Sequence, residues 1–211
     1  MKNSISYVAI FLLALAISGC SHDGSVSKKP LPDLYIVGID RSSSTNPMRV
    51  AQINQLKQVV TAATINAKQV EFWTFDHRAL CQWGPQVPSS PDALQPVEAK
   101  TLSMSNGSNR HITRPALMLQ QIAQDPAFLR ARSVTIILLT DGDNEVPSDD
   151  PLFTQQAAAI ASHPSVHLAV LDINPENRPV WQKAFSALPP QNFLLAGDTQ
   201  STRTEDRFLG M

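Results

Sequence analysis

The residues best suited to chemistry in this sequence are carboxylates and hydroxyls that follow two apolar runs. Residues 34–39 are apolar and typical of a buried strand, and Asp40, Ser42 and Ser44 come directly after them. A second apolar run, about a hundred residues further on, leads into Asp141. Neither segment has a cluster of thiols or imidazoles beside it. An oxygen-only donor set suits a hard cation, and Mg²⁺ is favoured because it needs few protein oxygens.

Both segments resemble motifs of von Willebrand factor A (VWA) domains. Read as D-x-S-x-S, the Asp40 segment is similar to the family's metal-site motif, and the run 133–140 with its T-D-G ending is similar to its fourth strand. The resemblance implies a metal-ion-dependent adhesion site (MIDAS), in which Ser42 and Ser44 bind Mg²⁺ or Mn²⁺ directly and Asp40 and Asp141 complete the site. It also implies an open metal position that accepts a carboxylate from a partner protein. The alternative is that residues 42–44 only cap the next helix.

A third loop departs from the family pattern, which has a threonine shortly before an Ala-Leu pair. Counting back from Ala116-Leu117 without a gap puts His111 in the threonine position. A small insertion puts Ser108 there instead, after a glycine as in the family. Thr113 lies closer to the helix than the pattern requires. We favour Ser108 as the third-loop metal ligand, with Thr113 second.

Around these motifs, strand-length apolar runs alternate with helical periodicity. The expected strands are 34–39, 69–75, 79–83, 133–140, 166–173 and 192–196, and the expected helices are 47–66, 114–124, 152–162 and 179–188. The apolar stripe of the first helix comprises Val50, Ile53, Leu56, Val60 and Ala63. Four prolines between positions 85 and 96 predict that residues 84–108 form a long surface loop. Cys81 is interpreted as a buried structural thiol.

This alternation indicates an α/β fold with a mostly parallel sheet and helices on both faces. Right-handed crossovers favour the doubly wound arrangement. The resemblance supplies the order 3-2-1-4-5-6 for a six-stranded sheet, with strand 3 antiparallel. That order reverses between strands 1 and 4, which lead into Asp40 and Asp141. Ligands of open sheets bind at such a reversal, so the general rule and the motif indicate the same crevice.

The start of the chain has the pattern of a targeting segment. Lys2 precedes a short apolar core, and Ile17-Ser18-Gly19-Cys20 resembles a bacterial lipobox, which implies that Cys20 becomes the lipidated first mature residue. An ordinary secretory signal is the alternative. We expect a signal peptide over 1–19, Cys20 and a tether over 20–32, a VWA-like domain over 33–198 and a polar tail over 199–211. Ser21 after the cysteine, rather than Asp, indicates the outer membrane, with the domain facing the periplasm.

The sequence therefore predicts a lipid-anchored protein of the bacterial cell envelope that binds a protein partner through a divalent metal. A net charge of −1 gives no basic field for nucleic acid. One alternative is a Mg²⁺-dependent hydrolase or phosphotransferase on a similar fold. Haloacid dehalogenase-like phosphatases need a second acid where Ser42 stands, and neither a general base nor a lysine partner is evident, so an enzyme is not expected. The other alternative is a structural scaffold with a degenerate metal site.

Overall fold

The computed structural model describes residues 31–104, without the side chain of residue 104, and residues 112–197. This part of the chain contains six strands and six α-helices. The strands are β1 (Asp33–Asp40), β2 (Gln69–Phe75), β3 (Ala79–Gln86), β4 (Ser133–Leu139), β5 (Val166–Leu171) and β6 (Phe193–Leu195). The helices are α1 (Arg49–Ile65), α2 (Gln95–Met104), α3 (Pro115–Gln124), α4 (Pro126–Arg130), α5 (Asp150–Ala161) and α6 (Arg178–Ala184).

The strands form one sheet in the order β3-β2-β1-β4-β5-β6. All neighbours are parallel except β2 and β3, which are antiparallel. This confirms the predicted order and the predicted direction of strand 3. β1 lies between β2 and β4, with Ile39 opposite Thr74 on one side and Leu139 on the other. The segments after β1 and β4 therefore leave the same edge of the sheet at adjacent positions.

Apolar side chains from both faces of the sheet pack under helices, as the doubly wound prediction requires. One face packs against α3, α4, α5 and α6, and its core includes Met118, Phe153 and Trp181. The other face packs against α1, with α2 residues at its margin, and its core includes Leu56 and Val60. β1 contributes alternate residues to both layers, since successive side chains of a strand point to opposite faces. Two buried layers hold the carboxyl edge of β1 in place.

The predicted surface loop over 84–108 is wrong at 84–86, where β3 continues to Gln86, and at 95–104, where α2 occupies Gln95–Met104. Residues 105–108 lie outside the described residues. Pro85 is compatible with β3 because the strand lies at the edge of the sheet and its register with β2 shifts at this point. Pro96 is compatible with α2 because it lies in the first turn, where a missing backbone N–H costs nothing.

Two burial predictions also fail. Val50, assigned to the apolar stripe of the first helix, is 67% exposed, whereas Ile53, Leu56 and Val60 are buried as expected. The buried face of α1 is rotated relative to the predicted stripe. Cys81 is exposed rather than buried, because β3 is an edge strand with much of its length in solvent.

In the part of the chain that the structure describes, no helix has the length and apolar character needed to cross a membrane.

Candidate metal site

Asp40 closes β1 and is joined to the end of β4 by a direct hydrogen bond. Its carboxylate Oδ2 accepts from Thr140 Oγ1 at 2.7 Å, and Oδ1 accepts from the backbone N–H of Ser42 at 2.8 Å. Asp40 has no exposed surface. Burial is the main cause that raises the pKa of Asp40 to about 7, and the nearby carboxylate of Asp141 raises it further. A positive charge placed beside these two acids would therefore be favoured.

The serine turn after Asp40 presents two hydroxyls side by side. Ser42 Oγ and Ser44 Oγ are 3.0 Å apart, with Ser42 fully buried and Ser44 exposed. The turn places one hydroxyl in the interior beside Asp40 and the other at the surface. This arrangement is more specific than a helix cap, because neither serine side chain caps α1 or the 3₁₀ turn that precedes it.

Thr45 and Arg49 hold this turn from below, and sequence reasoning missed both. Thr45 Oγ1 donates to the carbonyl oxygens of Asp40 (2.9 Å) and Ser42 (3.0 Å). Arg49, only 3% exposed, donates from Nη1 to the Asp40 carbonyl at 2.5 Å and from Nη2 to Thr45 Oγ1 at 3.1 Å. Burial lowers the pKa of Arg49 to about 10, so the guanidinium stays charged at neutral pH. Arg49 lies four residues before the buried Ile53, and residues four apart share one face of a helix. That spacing could have indicated that Arg49 is buried.

A further acid follows β5 and joins this network. Gln52 accepts from Arg49 Nη1 at 3.0 Å and donates from Nε2 to Asp172 Oδ2 at 3.2 Å. Asp172 is buried and has a φ of +69°, a left-handed conformation that is uncommon for residues other than glycine. Buried acids therefore lie at the carboxyl ends of β1 and β5. Arg49 is linked to both, through the Asp40 carbonyl and through Gln52.

The loop after β4 places Asp141 and Thr113 at the same edge of the sheet. The Asp141 carboxylate is 2% exposed, and its Oδ1 accepts from the Asp143 N–H at 3.2 Å. Thr113 is buried, and its N–H donates to Glu145 Oε2 at 2.7 Å while its carbonyl accepts from the Glu145 N–H at 3.2 Å. Glu145 thus ties the predicted third loop to the loop that carries Asp141.

Comparison of the sequence alone gives no relatives: no protein-family model and no curated protein matches it. The structure, in contrast, is similar to a VWA domain from Catenulispora acidiphila, with a TM-score of 0.53 and 16% identity over 86% of this chain and 42% of that one. The chain has the fold of a von Willebrand factor A domain.

Two further solved structures share this VWA fold. Proximal thread matrix protein 1 from the mussel byssus, whose MIDAS motif is occupied by zinc, has a TM-score of 0.59 and 17% identity over 84% of this chain. The match spans 45% of that protein, so this chain corresponds to less than half of its length. An aerotolerance-related membrane protein from Bacteroides fragilis has a TM-score of 0.50 and 13% identity over 84% of this chain and 99% of that one.

The residues at this edge of the VWA-fold sheet fit an oxygen-binding metal ion. Asp141 Oδ2 and Thr113 Oγ1 are both buried and have no hydrogen-bond partner among the described residues. Buried polar atoms are nearly always paired, so these two atoms fit ligands of a bound group. Hydroxyl and carboxylate oxygens are the donors that Mg²⁺ prefers. Within the described ranges, no three His, Cys, Asp or Glu side chains group together as a metal site.

Five of the predicted metal-site residues lie at the carboxyl edge of the sheet: Asp40, Ser42, Ser44, Thr113 and Asp141. Ser108, the favoured third-loop ligand, and His111 lie outside the described residues, as does Cys20. Thr113 is the second candidate for the third-loop metal ligand. Its buried hydroxyl has no hydrogen-bond partner among the described residues.

Proposed function

We propose that this protein binds another protein through a divalent metal ion held at the carboxyl edge of its VWA-fold sheet. The observation that carries the proposal is that two buried oxygens, Asp141 Oδ2 and Thr113 Oγ1, have no hydrogen-bond partner among the described residues. Asp141 directly follows Thr140, which is bonded to Asp40, and Thr113 is joined to the same loop through Glu145. Mg²⁺ or Mn²⁺ is the proposed ion, and a similar structure with zinc in its MIDAS motif supports divalent binding in general.

Each residue has a defined part in the proposed site. Ser42 and Ser44 would supply neutral hydroxyl oxygens, and Asp141 would supply a negative oxygen. Asp40 is already bonded through both carboxylate oxygens, to Ser42 and Thr140. Asp40 therefore orients these two neighbours and contributes negative charge. We propose that it contacts the metal through a bound water rather than directly. When bound, the ion would offer an open position to a carboxylate of the partner, with net positive charge left by the hydroxyl ligands.

We propose that the metal site binds a ligand and does not catalyse a reaction. Ser42 stands where a Mg²⁺-dependent phosphatase of the haloacid dehalogenase type would have its second acid. Arg49 is buried and bonded to the Asp40 carbonyl and to Thr45, so it supports the turn. These features support a site that presents a metal to a ligand.

We also propose that Cys20 anchors the domain to the bacterial envelope through lipid. The lipobox-like Ile17-Ser18-Gly19-Cys20 supports this assignment, and the similar aerotolerance-related protein is itself described as a membrane protein. Several acyl chains, each worth about 0.8 kcal/mol per buried methylene, would make the anchor stable. Ser21 after the cysteine supports the outer membrane, with the domain facing the periplasm.

The test of the binding proposal is a pull-down from envelope extract with the full chain in detergent. Wild type should retain a specific partner in millimolar Mg²⁺ and lose it in excess chelator. Ser42→Ala should weaken retention by about 1–3 kcal/mol, because it removes one charge-assisted ligand oxygen. Ser43→Ala is the matched control, since this hydroxyl of the same turn is outside the proposed donor set. Equal retention with and without chelator would show a metal-independent interface instead.

A further inference from the structure

The backbone of the loop that carries Asp141 is held by side chains of α6 and the residue before it. Asn177 Nδ2 donates to the Asp141 carbonyl at 3.0 Å and to Asp143 Oδ1 at 2.5 Å. Trp181 Nε1 donates to the Gly142 carbonyl at 3.0 Å. Three successive residues of the loop are thus bonded to one short stretch of chain.

Trp181 is itself fixed in one orientation by aromatic neighbours. It is 1% exposed, meets Phe153 edge-on at a centroid distance of 4.9 Å, and stacks on Phe185 at 5.9 Å with planes 15° apart. Such contacts restrict the ring, so its indole N–H is a donor with a defined direction. The N–H therefore behaves as a rigid support for the Gly142 carbonyl.

Gly142 allows this close approach. Its φ is +83°, and a Cβ built there would lie 2.8 Å from Ile173 Cγ1 and 3.1 Å from Trp181 Nε1. Any other residue would be strained in that conformation and would push the indole away. The glycine after Asp141 and the tryptophan of α6 thus form one structural unit.

The Asp141 carboxylate, in contrast, has little support of its own. Its Oδ1 has one hydrogen bond, 3.2 Å long and local to the loop, and its Oδ2 has no partner among the described residues. The direction of the carboxylate is therefore set mainly by the backbone that carries it. Two side chains outside the loop, Asn177 and Trp181, hold this backbone together with the Asn174 N–H, which donates to the Asp141 carbonyl at 2.9 Å.

We infer that Asn177 and Trp181 are positioning residues that aim the Asp141 carboxylate at the metal. The inference rests on the proposed metal site and extends it to residues that would not touch the ion. Neither residue is part of the VWA sequence motifs, and α6 lies between β5 and β6, away from the serine turn in sequence. Groups that orient metal ligands affect metal affinity by about 10- to 100-fold.

The test compares Trp181→Phe, Asn177→Ala and Gln182→Ala in the full chain. Phe keeps an aromatic ring between Phe153 and Phe185 but loses the indole donor and the volume of the second ring. Asn177→Ala removes the amide without removing a helix cap, because the Asn177 side chain does not cap α6. Gln182 is exposed on the same helix and serves as the control. Mg²⁺ affinity is measured by calorimetry, and amide hydrogen exchange of Asp143 is measured by NMR in chelator, because that N–H is bonded to the Asp141 carboxylate.

The expected result is an Mg²⁺ dissociation constant raised about tenfold or more by Trp181→Phe and by Asn177→Ala, and unchanged by Gln182→Ala. Exchange of the Asp143 amide in chelator should be faster in the same two variants only. Unchanged affinity and unchanged exchange in both variants would overturn the inference. If wild type binds no Mg²⁺, the proposed function fails, whereas the exchange measurement still decides whether these residues hold Asp141.

Discussion

Arg49 carries a positive charge into the layer directly beneath the serine turn. Its guanidinium is bonded to the Asp40 carbonyl, to Thr45 and to Gln52. A buried charge is costly unless it is paired and hydrogen-bonded, and here the carboxylate of Asp40 supplies opposite charge. Arg49 therefore both orders the turn and offsets part of the negative charge at this edge of the sheet.

Replacing this residue tests that role. Arg49→Met should lower the free energy of unfolding by about 2–4 kcal/mol, because it leaves polar groups of the turn without their donor. Arg49→Lys should lose less, since an ammonium keeps the charge but not the planar fork. Val50→Ala, at the next and exposed position of α1, is the control and should be close to neutral. Urea unfolding of the three variants in chelator gives the comparison; equal values for Arg49→Met and Val50→Ala would contradict the role.

The sequence made part of this site predictable. Asp40 and Asp141 each follow an apolar strand, so their placement at the carboxyl edge follows from strand order alone. Arg49, Gln52 and Asp172 were not predictable from the motif, because polar residues on a helix or after a strand are usually solvated. The burial of Arg49 and Gln52, both on α1, depends on how that helix is rotated against the sheet. That rotation was misjudged by including Val50 in the apolar stripe.

At the scale of elements, β2 carries an ionisable residue into the interior beneath α4. Glu71 is 1% exposed, accepts from Trp73 Nε1 at 3.0 Å, and has its Oε1 without a partner in the described part of the chain. Asp125, which caps α4 through the Ala127 N–H at 2.6 Å, is the acid that faces it. Burial is the main cause that raises the pKa of Glu71 to about 7, and Asp125 adds to it.

This raised pKa makes stability depend on pH with a defined sign. The folded chain binds the Glu71 proton up to about pH 7, whereas the unfolded chain releases it near the ordinary pKa of a glutamate, 4.5. The stability of wild type should therefore fall as pH rises from about 4.5 to 7 and then level off. Glu71→Gln, which is neutral and keeps an acceptor for Trp73, should be more stable than wild type by about 1–3 kcal/mol at pH 8. The two should be nearly equal at pH 4.5.

The measurement is the free energy of unfolding in urea for wild type and Glu71→Gln at a series of pH values. The difference between the two curves isolates Glu71, because other titrating groups contribute equally to both. Curves that stay parallel from pH 4.5 to 8 would show that Glu71 ionises normally in the fold.

The elements themselves were predictable where the chain has a clear period. β2 matches its prediction at both ends, and β1 and β4 match within one residue. Prediction failed over 84–104, where prolines occupy places that tolerate them: an edge-strand bulge at Pro85 and a first helical turn at Pro96. Whether a proline breaks an element depends on its position in the sheet or helix, and the sequence does not give that position.

At the scale of the whole molecule, the reversal of strand order between β1 and β4 creates the site. Crossovers from β1 and β4 leave toward opposite faces of the sheet, and this separation opens a crevice between Asp40 and the loop of Asp141. The proposed lipid anchor on Cys20 would hold the domain at a membrane surface.

The anchor has its own test in cells. Cys20→Ser should abolish incorporation of labelled fatty acid and leave an uncleaved precursor, because the thiol that would be acylated is gone. Cys81→Ser, which changes the exposed thiol of β3, is the matched control and should be labelled like wild type. Equal labelling of the Cys20→Ser variant and wild type would exclude the lipoprotein assignment.

The central claim, that this crevice binds a divalent metal, is tested most directly by thermal unfolding of wild type and Asp141→Asn with and without metal. In chelator the variant should melt at or slightly above wild type, since it removes the negative charge of Asp141 that repels Asp40. In millimolar Mg²⁺ or Mn²⁺ wild type should gain about 2.7 kcal/mol at a hundredfold excess over its dissociation constant, and the variant should gain almost nothing. A wild type that shows no metal-dependent shift, or a variant that shifts equally, would contradict the account.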